Sequence, residues 1–259
     1  MRFKDLSVLI TGAAGGFGRL AAQRFAAEGA KLTLQDISEA GLNETGEMIR
    51  AEGGNVALLA GDVSDPAHME ALVALAVKSY GQLNIALNNA GVGGGLAPIP
   101  KVDVADFDRV MAINARGVFL GMKYQIPEIA KVGGGAILNV ASAAGVLGAG
   151  FIGPYAASKH AVVGLTRAAA DESARLNVRV NAICPSFAIT PMFNDMADTI
   201  AETRSITREQ AYSRIASRVP MRRVADAEEV VQAMLWIVSP ENSFMTGQAV
   251  SIDGGLTAV

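Results

Sequence analysis

The chain is poor in the residue types that mark several functional classes. It has one cysteine, Cys184, among 259 residues. That excludes an internal disulfide framework and fits a reducing compartment, so a cytoplasmic protein is expected. It has two histidines and no His, Cys or carboxylate cluster at metal-ligand spacing, so no metal is expected. Charge is sparse and nearly balanced, with 22 basic against 25 acidic residues and a net of −3. No clustered Lys and Arg of the kind nucleic acid needs is recognisable. A long unbroken apolar run is lacking too. The longest uncharged stretch, 132–158, is interrupted by glycines and one proline, so it reads as strand and loop and not as a membrane span. The start, Met1-Arg2-Phe3-Lys4-Asp5, leads into an apolar run too short for a signal peptide.

Half of the residues are apolar, enough for a substantial core. Short β-rich runs alternate with longer helical patterns. Strands are predicted at 6–11, 31–35, 55–60, 83–87, 136–140, 178–183 and 248–252. Helices are predicted at 16–28, 38–51, after Ser64-Asp65-Pro66, at 107–130 and 155–175, and from an Asp226 to Glu229 capping pattern. This alternation predicts an α/β fold, a parallel sheet with helices on both faces. No linker or repeat is visible, so residues 1–259 read as one domain. The segment 187–223 has no strand and is rich in Met, Thr and Arg. It reads as an insertion over the sheet edge, a substrate lid, with a helix starting at Thr207 and Gln210 completing a capping box.

Strand one ends in Thr11-Gly12-Ala13-Ala14-Gly15-Gly16-Phe17-Gly18. Glycines allow a tight turn and close approach of backbone to an anion. The next helix offers its N–H groups and positive dipole end to a pyrophosphate. Alone, such a run is also an ordinary β–α turn; its place between strand one and a helix favours the phosphate loop. Asp36 ends strand two, 18 positions after Gly18. A carboxylate there can accept from a ribose diol and repels a 2′-phosphate. Gly15, Gln35 and Ile37 are not basic, and Arg19 is expected to point along the first helix. NAD is therefore expected over NADP.

Tyr155 and Lys159 lie four apart on a predicted helix and share a face. A tyrosine working as a base near neutrality needs about three units of pKa depression, roughly 4 kcal/mol, which a nearby ammonium favours. Tyr-x-x-x-Lys alone occurs often in surface helices. Ser142, just past strand five, adds weight, because doubly wound sheets bind ligands at that edge. Its hydroxyl can hold a substrate oxygen. Asn114 lies within the long preceding helix, where it is expected to hold a water against Lys159. His160 must face about 100° from Lys159 and is expected to pack; His68 is expected to be solvated, and Cys184 to be buried packing.

Taken together, Thr11 to Gly18, Asp62-Val63, Asn88-Asn89-Ala90-Gly91, Asn114, Ser142, Tyr155 with Lys159 and Asp253-Gly254-Gly255 resemble the short-chain dehydrogenase/reductase family over essentially the whole chain. The resemblance implies a doubly wound Rossmann fold with a mostly parallel, about seven-stranded sheet, and a homotetramer or homodimer. It implies a catalytic tetrad of Asn114, Ser142, Tyr155 and Lys159. Cofactor contacts are implied at Gly12, Gly16, Phe17, Gly18, Asp36, Ile37, Asp62, Val63, Asn89, Ala90, Gly91, Tyr155, Lys159, Pro185, Ala188 and Thr190. Two departures bear on the nicotinamide pocket: Ser186 replaces a frequent glycine, and Ala188 a larger aliphatic residue. The glycine loop also fits the spacing of longer sugar-nucleotide epimerases, although chain length and the Asn-Asn-Ala-Gly run favour the shorter enzymes. A narrower likeness, in 141–146 and 159–164, is to bacterial dehydrogenases of cyclic alcohols and diols. The expected walls, 93–98, 144–151 and 186–196, are apolar. The reaction expected is NAD(H)-linked interconversion of a neutral, fairly hydrophobic secondary alcohol and its ketone, with no nucleic-acid or membrane partner. The alternatives are NADPH-dependent reduction of a 3-oxoacyl thioester and a non-catalytic nucleotide-binding scaffold.

Overall fold

Strand β1 (Ser7–Thr11) is buried along its whole length. A run that is apolar on both faces suits a strand covered by helices on either side. In the computed structural model, which describes residues 1–259, it is an interior strand of a seven-stranded sheet. The other strands are β2 (Lys31–Asp36), β3 (Asn55–Ala60), β4 (Ile85–Asn88), β5 (Gly135–Val140), β6 (Val178–Pro185) and β7 (Ala249–Ile252). Their order is β3-β2-β1-β4-β5-β6-β7 and every pair is parallel. Val8 faces both Leu32 and Ile85, so the order reverses direction at β1 and β4. That reversal opens a crevice at the carboxyl ends of the strands.

Helices α1 (Gly16–Ala27), α2 (Glu39–Ala51) and α9 (Ala227–Val238) cover one face, where Phe25, Leu42, Ile49, Val230 and Leu235 join one core. Helices α3 (Pro66–Tyr80), α5 (Gly117–Lys131) and α6 (Gly153–Ser173) cover the other through Met69, Leu72, Val118, Ile129 and Val162. Most predicted elements appear within two residues of their expected bounds. The helix expected at 107–130 differs more. It begins earlier, as α4 (Val104–Met111), because Asp103 caps it by accepting the Ala105 N–H at 3.0 Å. One π turn (Ala112–Arg116) then joins it to α5.

Residues 187–223 hold two helices, α7 (Pro191–Arg204) and α8 (Arg208–Ala216). The Thr207–Gln210 capping box is present at the start of α8. Helix α7 is not among the expected elements, although its Thr190 cap and Pro191 at the first position are a valid start signal on a weakly apolar helix. Phe193, Ala197 and Ile215 give this pair its own small core. An Ala188–Ala225 bridge closes its base. No helix is long and apolar enough to cross a membrane.

Candidate active site

The loop after β1 is shaped by backbone contact. Gly12 has φ +68°, and a Cβ there would lie 2.8 Å from Ala90 Cα. A Cβ on Gly18 would lie 2.0 Å from the Gly12 carbonyl oxygen. Both positions therefore require glycine. The turn after β4 holds the loop from behind. Asn89 Nδ2 donates to the carbonyls of Thr11 and Gly12 at 2.9 and 3.0 Å, and Thr11 Oγ1 accepts from the N–H groups of Asn89 and Ala90. No side chain caps α1, so its first N–H groups and positive dipole end face the crevice. Gly16 closes the far side against Thr190 and Pro191.

Asp36 is part of the same construction. Its Oδ2 accepts the Ala14 N–H and its Oδ1 the Ser38 N–H, each at 2.9 Å. Ile37 beside it is exposed. Arg19 does not run along α1 as expected. It crosses to α2, donating to Thr45 Oγ1, to the Ala14 and Gly41 carbonyls and to Glu44, whose carboxylate neutralises it. Asp62 Oδ1 accepts the Ser64 N–H, and Val63 is buried against Gly117. His68 is not solvated either. Its ring packs on Gly61, burial pushes its pKa down, and Nε2 is buried without a partner.

Ser142 starts a short turn after β5 and accepts the Ala144 N–H at 3.1 Å; its hydroxyl lies 3.5 Å from the Pro185 carbonyl at the end of β6. Tyr155 stands in the first turn of α6, with Lys159 one turn on. Burial pushes the Tyr155 phenol above its usual pKa, and the neighbouring Ser142 hydroxyl opposes that shift. Lys159 Nζ lies 5.5 Å from the Tyr155 ring centre and donates to the Val140 carbonyl at 2.8 Å. The lysine is 4% exposed, and burial lowers its pKa to about 8. Gly91 completes the group: a Cβ there would lie 3.3 Å from Lys159 Nζ and 3.2 Å from Asn114 Oδ1.

Asn114 sits in the π turn and is fully buried. Its carboxamide makes three hydrogen bonds to protein. Oδ1 accepts the Val92 N–H at 2.8 Å, while Nδ2 donates to the Val92 carbonyl at 2.9 Å and to Ser158 Oγ at 3.0 Å. The side chain therefore clamps the chain at Val92, with one Oδ1 lone pair uncommitted. Ser158 passes the link on by donating to the Tyr155 carbonyl at 2.7 Å. Nothing in the spacing of Tyr155 and Lys159 points to Ser158, because its partner is 44 residues away. His160 is exposed with Nδ1 2.9 Å from the Ala156 carbonyl, not packed as expected. Cys184 is buried, as its strand context predicts. Ala188 is buried in its bridge to Ala225, and Thr190 caps α7 by accepting the Phe193 N–H.

A family model described as enoyl-(acyl carrier protein) reductase matches residues 12–257. Levodione reductase of Leifsonia aquatica is 37% identical over 259 residues, covering 99% of this chain and 96% of that protein. Cyclohexanol dehydrogenase of an Acinetobacter species (strain SE19) is 34% identical, covering 99% and 97%. Among solved structures, a levodione reductase superposes with a TM-score of 0.95 at 37% identity over 99% of each chain. NAD⁺-bound xylitol dehydrogenase gives 0.94 at 31% identity, covering 98% of this chain and 100% of that one. An actinorhodin polyketide ketoreductase with NADPH gives 0.93 at 34% identity over 98% of each. The parallel sheet with its uncapped glycine loop, the Ser142, Tyr155 and Lys159 group beside it, and full-length similarity to these reductases and dehydrogenases converge on one conclusion: the chain belongs to the short-chain dehydrogenase/reductase family of oxidoreductases.

Proposed function

We propose that the protein interconverts a neutral, hydrophobic secondary alcohol, cyclic ones included, and its ketone with NAD(H). The observation that carries this reading is the meeting of Ser142, Tyr155 and Lys159 at the strand ends, beside an uncapped glycine loop. The residues present fit a nicotinamide dinucleotide. The α1 N–H groups would take the pyrophosphate, Asp36 the adenosine ribose, and exposed Ile37 one face of the adenine. Asp62, Val63 and Asn89 to Gly91 would line its path, with Pro185, Ala188 and Thr190 opposite. When bound, the cofactor supplies the hydride acceptor or donor.

Support for NAD is electrostatic. The cation nearest the loop, Arg19, is already paired with Glu44, and Asp36 would repel a 2′-phosphate. The Ser142 hydroxyl holds the substrate oxygen against Tyr155. In the reducing direction Tyr155, kept protonated by burial, gives its proton to the developing alkoxide. In the oxidising direction it takes the hydroxyl proton, and the Lys159 ammonium favours the phenolate that this step requires. Residues 187–223 act as the lid over the substrate. Cyclohexanol dehydrogenase and levodione reductase among the relatives support a cyclic substrate.

A panel of cyclic and open-chain alcohols and ketones, run with NAD(H) and NADP(H) in parallel on wild type and Tyr155→Phe, tests the reading. Turnover should favour NAD(H) and vanish in the variant, while NADH binding persists. Preference for NADP(H) would overturn the role of Asp36; substantial turnover by Tyr155→Phe would overturn that of Tyr155.

A further inference from the structure

Beyond Gly91 the chain runs Val92-Gly93-Gly94-Gly95-Leu96-Ala97. Three successive glycines have no side chains to pack, and each loses more backbone freedom on ordering than any other residue type. Such a segment holds one shape only if it is tied down from outside. Here it is tied at three places. At one end Val92 exchanges two hydrogen bonds with the Asn114 carboxamide. At the other, the Ala97 N–H donates to the Phe151 carbonyl at 2.9 Å, and Ala97 bridges to Ile152.

The middle tie comes from α4. Asp106 Oδ2 accepts the Gly95 N–H at 2.9 Å, and Arg109 Nη2 donates to the Gly93 carbonyl at 3.1 Å. The two side chains close on each other at 2.6 Å. Gly94 threads between the elements so joined. A Cβ there would lie 3.1 Å from Asp106 Oδ2, 3.4 Å from Val110 and 3.9 Å from Pro154, the residue before Tyr155. The Gly95 amide bond, and then Arg109, hold the Asp106 carboxyl below its usual pKa.

We propose that Asp106 and Arg109 are positioning residues that fasten the triple-glycine segment as the cleft wall beside Tyr155, and so set affinity for the substrate. The proposal rests on reading the cleft as an alcohol and ketone site. Both side chains are partly exposed, and such a pair adds little to global stability. Its effect is concentrated in the middle of the segment, Gly93 to Gly95, where the ties at Val92 and Ala97 do not reach.

The test compares full-length wild type, Asp106→Ala, Asp106→Asn and Arg109→Ala. The readouts are steady-state kinetics with the best ketone of the panel, cofactor KM, thermal midpoint and amide hydrogen exchange over residues 92–98. Losing a charge-assisted hydrogen bond should raise substrate KM about tenfold in Asp106→Ala. The same variant should leave kcat and cofactor KM within about twofold of wild type. Exchange at Gly93 to Gly95 should speed up while the melting midpoint hardly moves. Asp106→Asn should recover most of the affinity, because its Oδ1 still accepts the Gly95 N–H. Unchanged KM, a kcat loss matching the KM rise, or unchanged exchange would overturn the proposal. Should wild type turn over no alcohol or ketone, the reading of the cleft fails instead, and exchange alone still decides whether Asp106 holds the segment.

Discussion

A lysine that is 4% exposed has lost most of its water, and a single carbonyl, that of Val140, takes its place beside the Lys159 ammonium. The consequence for stability has a definite sign. The folded pKa is about 8 against an ordinary value of 10.5, so the folded state binds its proton more weakly than the unfolded chain. Below pH 8 both states are charged and the full penalty, about 3 kcal/mol, opposes folding. As pH rises from 8 towards 10.5 the folded state sheds the proton first and the penalty fades. Lys159→Met should therefore melt several degrees above wild type at pH 7, less so at pH 9.5, while losing turnover. Calorimetry at the two pH values checks this; a variant that melts lower at pH 7 contradicts it. At this scale the sequence is legible where position along the chain decides. Tyr155, Lys159, Ser142 and Asp36 can be placed because each stands at the end of a recognisable strand or one helical turn from another. Ser158, Asp106 and Arg109 cannot, because their roles lie in partners that only the folded chain brings near. The orientation of Arg19 departs from expectation for the same reason.

Beneath the site, β4, β5, α5 and α6 share a buried polar network. Asn88 Nδ2 donates to Gln125 Oε1 at 3.0 Å and to Asn139 Oδ1 at 2.9 Å, and Gln125 Nε2 returns a bond to Asn88 Oδ1 at 2.8 Å. Asn139 Nδ2 donates to Thr166 Oγ1, which donates to the Val162 carbonyl. Each of these carboxamides finds partners within the protein, so the network sets the register of α6, and thus of Tyr155, against the sheet. Asn139→Leu would take one partner from each of Asn88 and Thr166 and should cost about 2–3 kcal/mol in chemical denaturation. A cost below about 1 kcal/mol would mean that the elements are held by apolar packing alone. Strands and long helices are legible because burial imposes their periods. Helix α7 is harder to read, since its apolar stripe is narrow and only its cap marks the start. The π turn has no signal of its own in composition or periodicity.

For the whole molecule, the parallel sheet explains why a sequence alone can direct attention to the strand ends. Once every strand runs the same way, every strand end that can carry chemistry faces one side. The outer surface is less plain. Val104, Phe107 and Phe119 are exposed along α4 and α5. We propose that the long helices, α5 with the preceding α4 and α6, pair between subunits. Light scattering should give four times, or failing that twice, the 26.8 kDa chain mass. Phe119→Glu should lower the assembly order without unfolding the chain. A monomeric wild type would contradict the expectation.

The π turn at Ala112–Arg116 also fixes how the two halves of this long helix face. Such a turn holds one residue more than an α-helical turn, so α4 is rotated by about 100° from the phase that an unbroken helix through α5 would give it. The α5 half keeps its apolar stripe on the sheet through Val118, Leu120 and Ile129. The α4 half, out of that phase, buries only Val110 and turns Asp106 and Arg109 to the glycine segment. One surplus residue lets a single rod serve as a structural beam at one end and a lever on the cleft at the other.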